Sequence, residues 1–130
     1  MKVEIVEVKL GEIEQVETAL AALAKVSIPA REAWAIAKVL RAVKTEAEDF
    51  RKERNKLLER LGKTSNGYSF DIPPENIKEF NDSIRSLTEV EVGVPFPQVE
   101  FKVFENAKLT PEVIEPLIAY MFPDMEGREL

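Results

Sequence analysis

Histidine and cysteine are both absent from the 130 residues of this chain, so any chemistry falls to carboxylates, lysines, arginines and tyrosines. Without histidine there is no Ser-His-Asp triad, no imidazole general base and no histidine-ligated zinc. Without cysteine there is no thiol nucleophile, thiolate metal site or disulfide framework. The glycines, Gly11, Gly62, Gly67, Gly93 and Gly127, lie too far apart to cradle a phosphate, and the acids do not follow a calcium-loop spacing. The sharpest remaining pair is Glu89 and Glu91, on one face of a predicted strand, where two carboxylates could meet a metal or a sugar. The wet face of a half-buried sheet explains them more simply, and that reading is favoured. Glu46, Glu48, Asp49 and Glu53 likewise read as a solvated helix face. The expectation is a protein that is not an enzyme, with no catalytic, cofactor-binding or metal-binding residue.

Two residues sit where their type is out of place. Arg54 falls in an apolar seam, Ile36, Leu40, Val43, Ala47, Phe50, Leu57, Leu61, whose spacing alternates between four and three. Its stem can snorkel over Phe50 and Leu57, or its charge can pair with an acid on a partner helix and fix the register. Trp34 lies off that seam, on a stripe with Lys38 and Arg41. It packs under a neighbouring strand, the favoured reading, or anchors an interface. Phe96, between Pro95 and Pro97, is either a core plug or a loop-tip contact.

The element that positions most of these residues is one long helix, predicted from Pro29 to Leu61 and roughly 50 Å long. That is more than a small domain needs, so part of it is expected to project or to meet a partner. Pro29 suits its first turn and Gly62 its end. Residues 44–61 are dense in both charge signs, with Glu48–Lys52 four apart and Glu53–Lys56 three apart. A first helix is predicted over 12–25, with Ile13, Val16, Leu20 and Leu23 in heptad spacing. Alanines slim it and the start of the long helix, so the two can approach as an antiparallel hairpin.

Around that hairpin the pattern predicts smaller elements. Residues 2–10 read as a strand whose apolar phase switches between Ile5 and Val6, which implies a bulge or burial on both faces, and Gly11 ends it. Residues 63–67 read as a polar turn, and 68–72 as a strand. A helix follows Pro73-Pro74, carrying Ile77, Phe80, Ile84 and Leu87. Glu89–Val94 and Val99–Val103 alternate as strands and form a hairpin around Pro95-Phe96-Pro97, which breaks the first of them. Thr110-Pro111 opens a last helix, 111–121, which Pro123 ends. The fold class is therefore α+β: a long antiparallel helical hairpin, a small mainly antiparallel sheet and two shorter helices. The boundaries are a single domain over 1–123 and a flexible tail over 124–130.

Composition limits the partners. At 45% hydrophobic residues the chain can bury a real core, and its net charge of −6 disfavours direct nucleic-acid binding. The N-terminal stretch carries acids and no apolar h-region, unlike a signal peptide, and no run of eighteen apolar residues suggests a membrane span. The missing histidine and cysteine, with abundant Glu and Lys, suit a thermophilic source.

Several segments together resemble small uncharacterised proteins of tailed phages and prophages. They are the N-terminal strand, Ile28-Pro29-Ala30-Arg31, Phe50-Arg51-Lys52-Glu53-Arg54-Asn55-Lys56-Leu57-Leu58, Ile72-Pro73-Pro74-Glu75-Asn76 with Phe80, and Leu87-Thr88-Glu89-Val90-Glu91-Val92. The resemblance covers about residues 1–104. It implies a viral origin and an accessory or assembly role in the host cytoplasm or the virion, and it supplies no catalytic residue. The expected function is protein–protein contact, with another protein or as a homo-oligomer, through the far half of the long helix. The expected contact residues are Phe50, Arg54, Leu57 and Leu58, with Trp34. The alternative is an inhibitor of a host enzyme or nucleic-acid-binding factor, although acids mixed with bases on the long helix argue against acidic mimicry.

Overall fold

The computed structural model describes residues 2–65, 69–105, 107 and 109–123. Strand β1 (Val3–Lys9) runs directly into helix α1 (Leu10–Leu23), and a short turn leads to the long helix α2 (Ala30–Leu61). The hairpin is antiparallel: Glu14 and Glu17 near the start of α1 meet Arg51 and Arg54 in the far half of α2. The seam residues Ile36, Val43, Ala47 and Phe50, with Val39 beside them, are buried in one core with Ile13, Val16, Leu20 and Leu23 of α1, and Leu61 at the helix end is buried too. Pro29 accepts the first bond of α2, from the Ala33 amide, at 3.0 Å. Gly62 ends the helix in an extended conformation (φ −100°, ψ 166°), so its capping role does not draw on glycine's left-handed freedom.

The small strands differ most from expectation. Beyond α2, Lys63–Ser65 is not a turn but β2, paired with β3 (Ser69–Asp71); Tyr68 and Gly67 lie outside the described residues. A 3₁₀ turn at Pro74–Asn76 leads into α3 (Ile77–Thr88). α3 packs against both α1 and α2, and Asn76 Nδ2 donates to the Leu61 carbonyl at 2.9 Å. The end of the long helix is thus covered by its own chain rather than projecting. Gly11 lies inside α1 rather than ending β1. A Cβ there would come within 3.0 Å of Thr88 Cβ and 3.3 Å of its carbonyl oxygen, so α1 and the end of α3 touch only because this position has no side chain.

Strand β4 (Glu91–Pro97) runs through the Pro-Phe-Pro segment instead of stopping before it, and it pairs with β1, not with residues 99–103. The pairing is continuous from Val3↔Pro97 to Lys9↔Glu91, so β1 has no bulge. Leu10 donates to the Val90 carbonyl and Gln98 to that of Lys2, which makes the even-numbered pairs the hydrogen-bonded ones. Pro95 and Pro97 occupy the other positions, where the missing N–H would point away from β1. The two prolines therefore cost the ladder nothing, and they remove two of the donors from the free edge of β4.

Phe96, in contrast, faces inward and is fully buried, as a core plug, stacked on Tyr120 at 5.3 Å. The predicted last strand is a 3₁₀ turn, Phe101–Phe104. Three residues per turn put both aromatics on one side, each edge-on to Phe122 at 5.5 and 5.6 Å. The expected helix 111–121 is divided into α4 (Pro111–Ile114), a 3₁₀ turn at Glu115–Leu117 and α5 (Ile118–Met121). Pro116 is the cause: it lacks an N–H and its ring crowds the carbonyl four residues back. The expected tail, 124–130, lies outside the described residues.

Candidate functional site

The alternation of β1 divides its side chains between two faces. Val6 and Val8 face the core with Val94 and Phe96, while Val3 and Ile5 stand on the opposite face at 56% and 69% exposure. The switch of apolar phase read in the sequence therefore marks two apolar faces. Across the ladder Val3 lies beside Pro97 and Ile5 beside Pro95. Together they make an apolar outer end to the sheet; Glu7, Lys9 and Glu91 make the other end polar.

The first turns of α2 flank this patch. Its seam turns Ile36 and Val39 into the core, which leaves Trp34 on the outside at 63% exposure. The favoured expectation, Trp34 under a strand, is not met. The Arg41 guanidinium lies 5.9 Å from the ring centroid, a cation–π contact that presses the indole along the helix. Between helix and sheet runs an open cleft of about 460 Å³. Its apolar walls are Val3, Pro95 and Pro97 on one side and Trp34, Ala35 and Val39 on the other. Arg31 and Lys38 line its rim.

The two rim cations, Arg31 and Lys38, form no salt bridge: among the described residues no carboxylate comes within 4.0 Å of them, nor of Arg41 and Lys44 further along the helix. In the far half of α2, in contrast, Arg51, Arg54, Lys56 and Arg60 pair with acids, and among the described residues only Lys52 of the cations there does not. An acidic chain thus leaves one basic, aromatic stripe unneutralised beside its main exposed apolar patch.

The other expected contact residues are placed differently. Phe50 is a core residue, and Leu57 and Leu58 are half-buried. Arg54 realises both of its readings at once. Its guanidinium lies 5.3 Å from the Phe50 ring and donates to Glu14 Oε1 at 2.8 Å, and the partner helix is α1 of the same chain. Arg51 bridges Glu14 at 3.3 Å and Glu17 at 3.1 Å. The hydrogen bond from Arg54, more than burial, sets the Glu14 carboxyl below its ordinary range, and Glu17 above all raises the Arg51 guanidinium further. This cluster fixes helix register and presents no unpaired group.

For catalysis the structure brings little together. Glu89 caps α3 while Glu91 begins β4, so the two do not share a strand face. Among the described residues, no group of three or more acids is placed to hold a metal ion. Glu12 and Glu115 do line one shallow cleft, but Tyr120 already donates its hydroxyl to Glu12 at 2.6 Å. Burial first, and then this bond, push the Tyr120 phenol up to about 12. Among the described residues, no helix is long and apolar enough to cross a membrane. Compared with protein-family models, curated proteins and solved structures, the chain matches none.

Proposed function

We propose that this chain is a non-enzymatic contact protein whose docking surface is the cleft beside Trp34, serving the accessory or assembly role that the likeness to phage proteins implies. The observation that carries the reading is that Trp34 shares one cleft with Val3, Pro95 and Pro97, apolar groups on three different elements, with exposed Ile5 paired beside Pro95. Large apolar side chains gathered in one place outside the core are the usual mark of a partner's footprint, and an exposed Trp beside Arg is the usual anchor. The far half of α2 is the weaker candidate, since Phe50 is in the core and Arg54 is paired.

The test is selection from a random peptide library on the immobilised protein, with counter-selection on W34A. The reading predicts binders that W34A does not retain; a selection yielding none would refute it. A second reading, self-association, is favoured by the free edge of β1, where Val3, Ile5, Glu7 and Lys9 turn their backbone groups away from β4. Sedimentation over a wide concentration range tests it: I5K should dissolve any dimer, and a monomer throughout would end it.

A further inference from the structure

We infer that the partner segment held by the Trp34 cleft is an extended, acidic peptide with one large apolar anchor. The inference rests on the docking reading above and adds the chemistry of the occupant. Its basis is the charge on the rim. Arg31 precedes Trp34, and Lys38 and Arg41 follow it, along one stripe of α2 at spacings of three and four, and none of the three has a carboxylate partner among the described residues. The chain as a whole carries −6, so a local concentration of unpaired cations runs against its own field and selects the opposite charge.

The geometry sets the spacing of that peptide. On a helix, the backbones of Arg31 and Lys38 are roughly 10 Å apart with Trp34 between them, and the Arg41 guanidinium lies back over the Trp34 ring at 5.9 Å. An extended chain advances about 3.3 Å per residue. Carboxylates about three residues apart then reach Arg31 and Lys38, and the apolar side chain falls one or two residues after the first acid, beside the indole over which Arg41 lies. That side chain enters between the indole and the Val3 and Pro97 wall, and the acids lie along the rim. A single-stranded nucleic acid would also find a stacking ring and cations here. Among the described residues only one aromatic ring, Trp34, lines the cleft, however, whereas a single strand draws its affinity from stacking successive bases on several.

Trp34 is the only tryptophan, so its emission reports the site directly. Peptides retained by the wild type and not by W34A are sequenced and titrated against the protein, alongside oligo-thymidylate and a scrambled peptide with its acids changed to lysine. The expected result is enrichment of acids around one aromatic or aliphatic residue. A blue shift of Trp34 on binding and weakening by added salt should accompany it. In R31E/K38E/R41E the affinity for the acidic peptide should fall by roughly tenfold or more, and the lysine peptide should become the tighter ligand. W34A-sensitive peptides without acids, or an unchanged preference in the triple variant, would overturn the inference while leaving the docking reading standing. Oligo-thymidylate binding tighter than the peptide would overturn it in favour of nucleic acid. Absence of any W34A-sensitive ligand would overturn both.

Discussion

Replacing Glu14 by Gln isolates what the charge cluster between α1 and α2 contributes. The Glu14 carboxylate accepts from Arg54 at 2.8 Å and from Arg51 at 3.3 Å, and the three side chains remain 34–39% exposed. Two unit charges at about 4 Å attract by about 4 kcal/mol at an effective dielectric of about 20. Desolvation, rotamer entropy and screening leave about 0.2–1 kcal/mol per exposed pair. Glutamine keeps an acceptor oxygen and loses the charge, so E14Q should cost about 0.5–1 kcal/mol. For a chain of this size that is about 2–4 °C in melting temperature.

The pH dependence gives the sharper test. Glu14 is an acid whose folded value lies below its ordinary 4.5, chiefly through the Arg54 hydrogen bond. The unfolded chain then binds the proton more tightly, and stability rises with pH through the window between the two values. The contribution is complete above about 4.5 and is lost as pH falls through the lowered folded value. Thermal melts of wild type and E14Q should differ at neutral pH and low salt. They should converge on acidification below that range and in molar salt, where the screening length is about 3 Å. A cycle of E14Q with R54M, which keeps the stem over Phe50, should return a coupling of about 0.3–1 kcal/mol. If the gap survived acidification undiminished, or were missing at neutral pH in low salt, the cluster would not be working through charge.

F50A should cost about 3–5 kcal/mol by denaturant unfolding, because the ring is buried between the long helices, whereas W34A should move stability by less than about 0.5 kcal/mol. Equal losses would mean that the two aromatics have been assigned the wrong way round. G11A adds a good helix former inside α1, yet it should destabilise by about 1 kcal/mol or more, because the new methyl meets the Thr88 backbone oxygen and Cβ; a stabilised G11A would show that α3 gives way freely. The Tyr120 phenol, raised to about 12, is a group whose folded value exceeds its ordinary 10.0, so its contribution is present below 10.0 and fades as pH rises towards 12. The phenolate absorbance lost in Y120F should therefore have its midpoint near 12, and a midpoint near the ordinary 10.0 would contradict the half-buried placement of the phenol and its bond to Glu12.

The helices were legible because their signals are local and redundant. The seam from Ile36 to Leu61, the proline before Ala30 and the alanine-slimmed faces all specify one antiparallel hairpin, and the fold forms it. The 3₁₀ turn at Phe101–Phe104 was not legible as such. Val99, Phe101 and Val103 alternate as a strand would, and only the arrival of Phe122 makes the three-residue spacing of Phe101 and Phe104 the one that packs. Pro116 was a local signal, but the apolar positions around it describe a continuous helix face and outweigh a single breaker.

The site was half legible, and the missing half is a matter of register. Trp34, Lys38 and Arg41 share a stripe whatever the fold, but whether that stripe is covered depends on where a strand lies. Pro95 and Pro97 read as a break because a proline removes a donor, and a strand in the middle of a sheet needs every donor. Here β4 has its neighbour β1 on one side only, and both prolines fall on the positions that face away from it. The same register sets Val3 and Ile5 on the outer face beside those prolines. A shift of β4 by one residue would place both prolines in the ladder, at the cost of two hydrogen bonds, and turn Phe96 outward; a shift of β1 by one would turn Val3 and Ile5 inward and Val6 and Val8 out of the core. The ladder, the core and the apolar cleft therefore depend on one alignment: a chain that keeps both prolines out of the ladder and Val8 and Phe96 in the core must also present this surface beside Trp34.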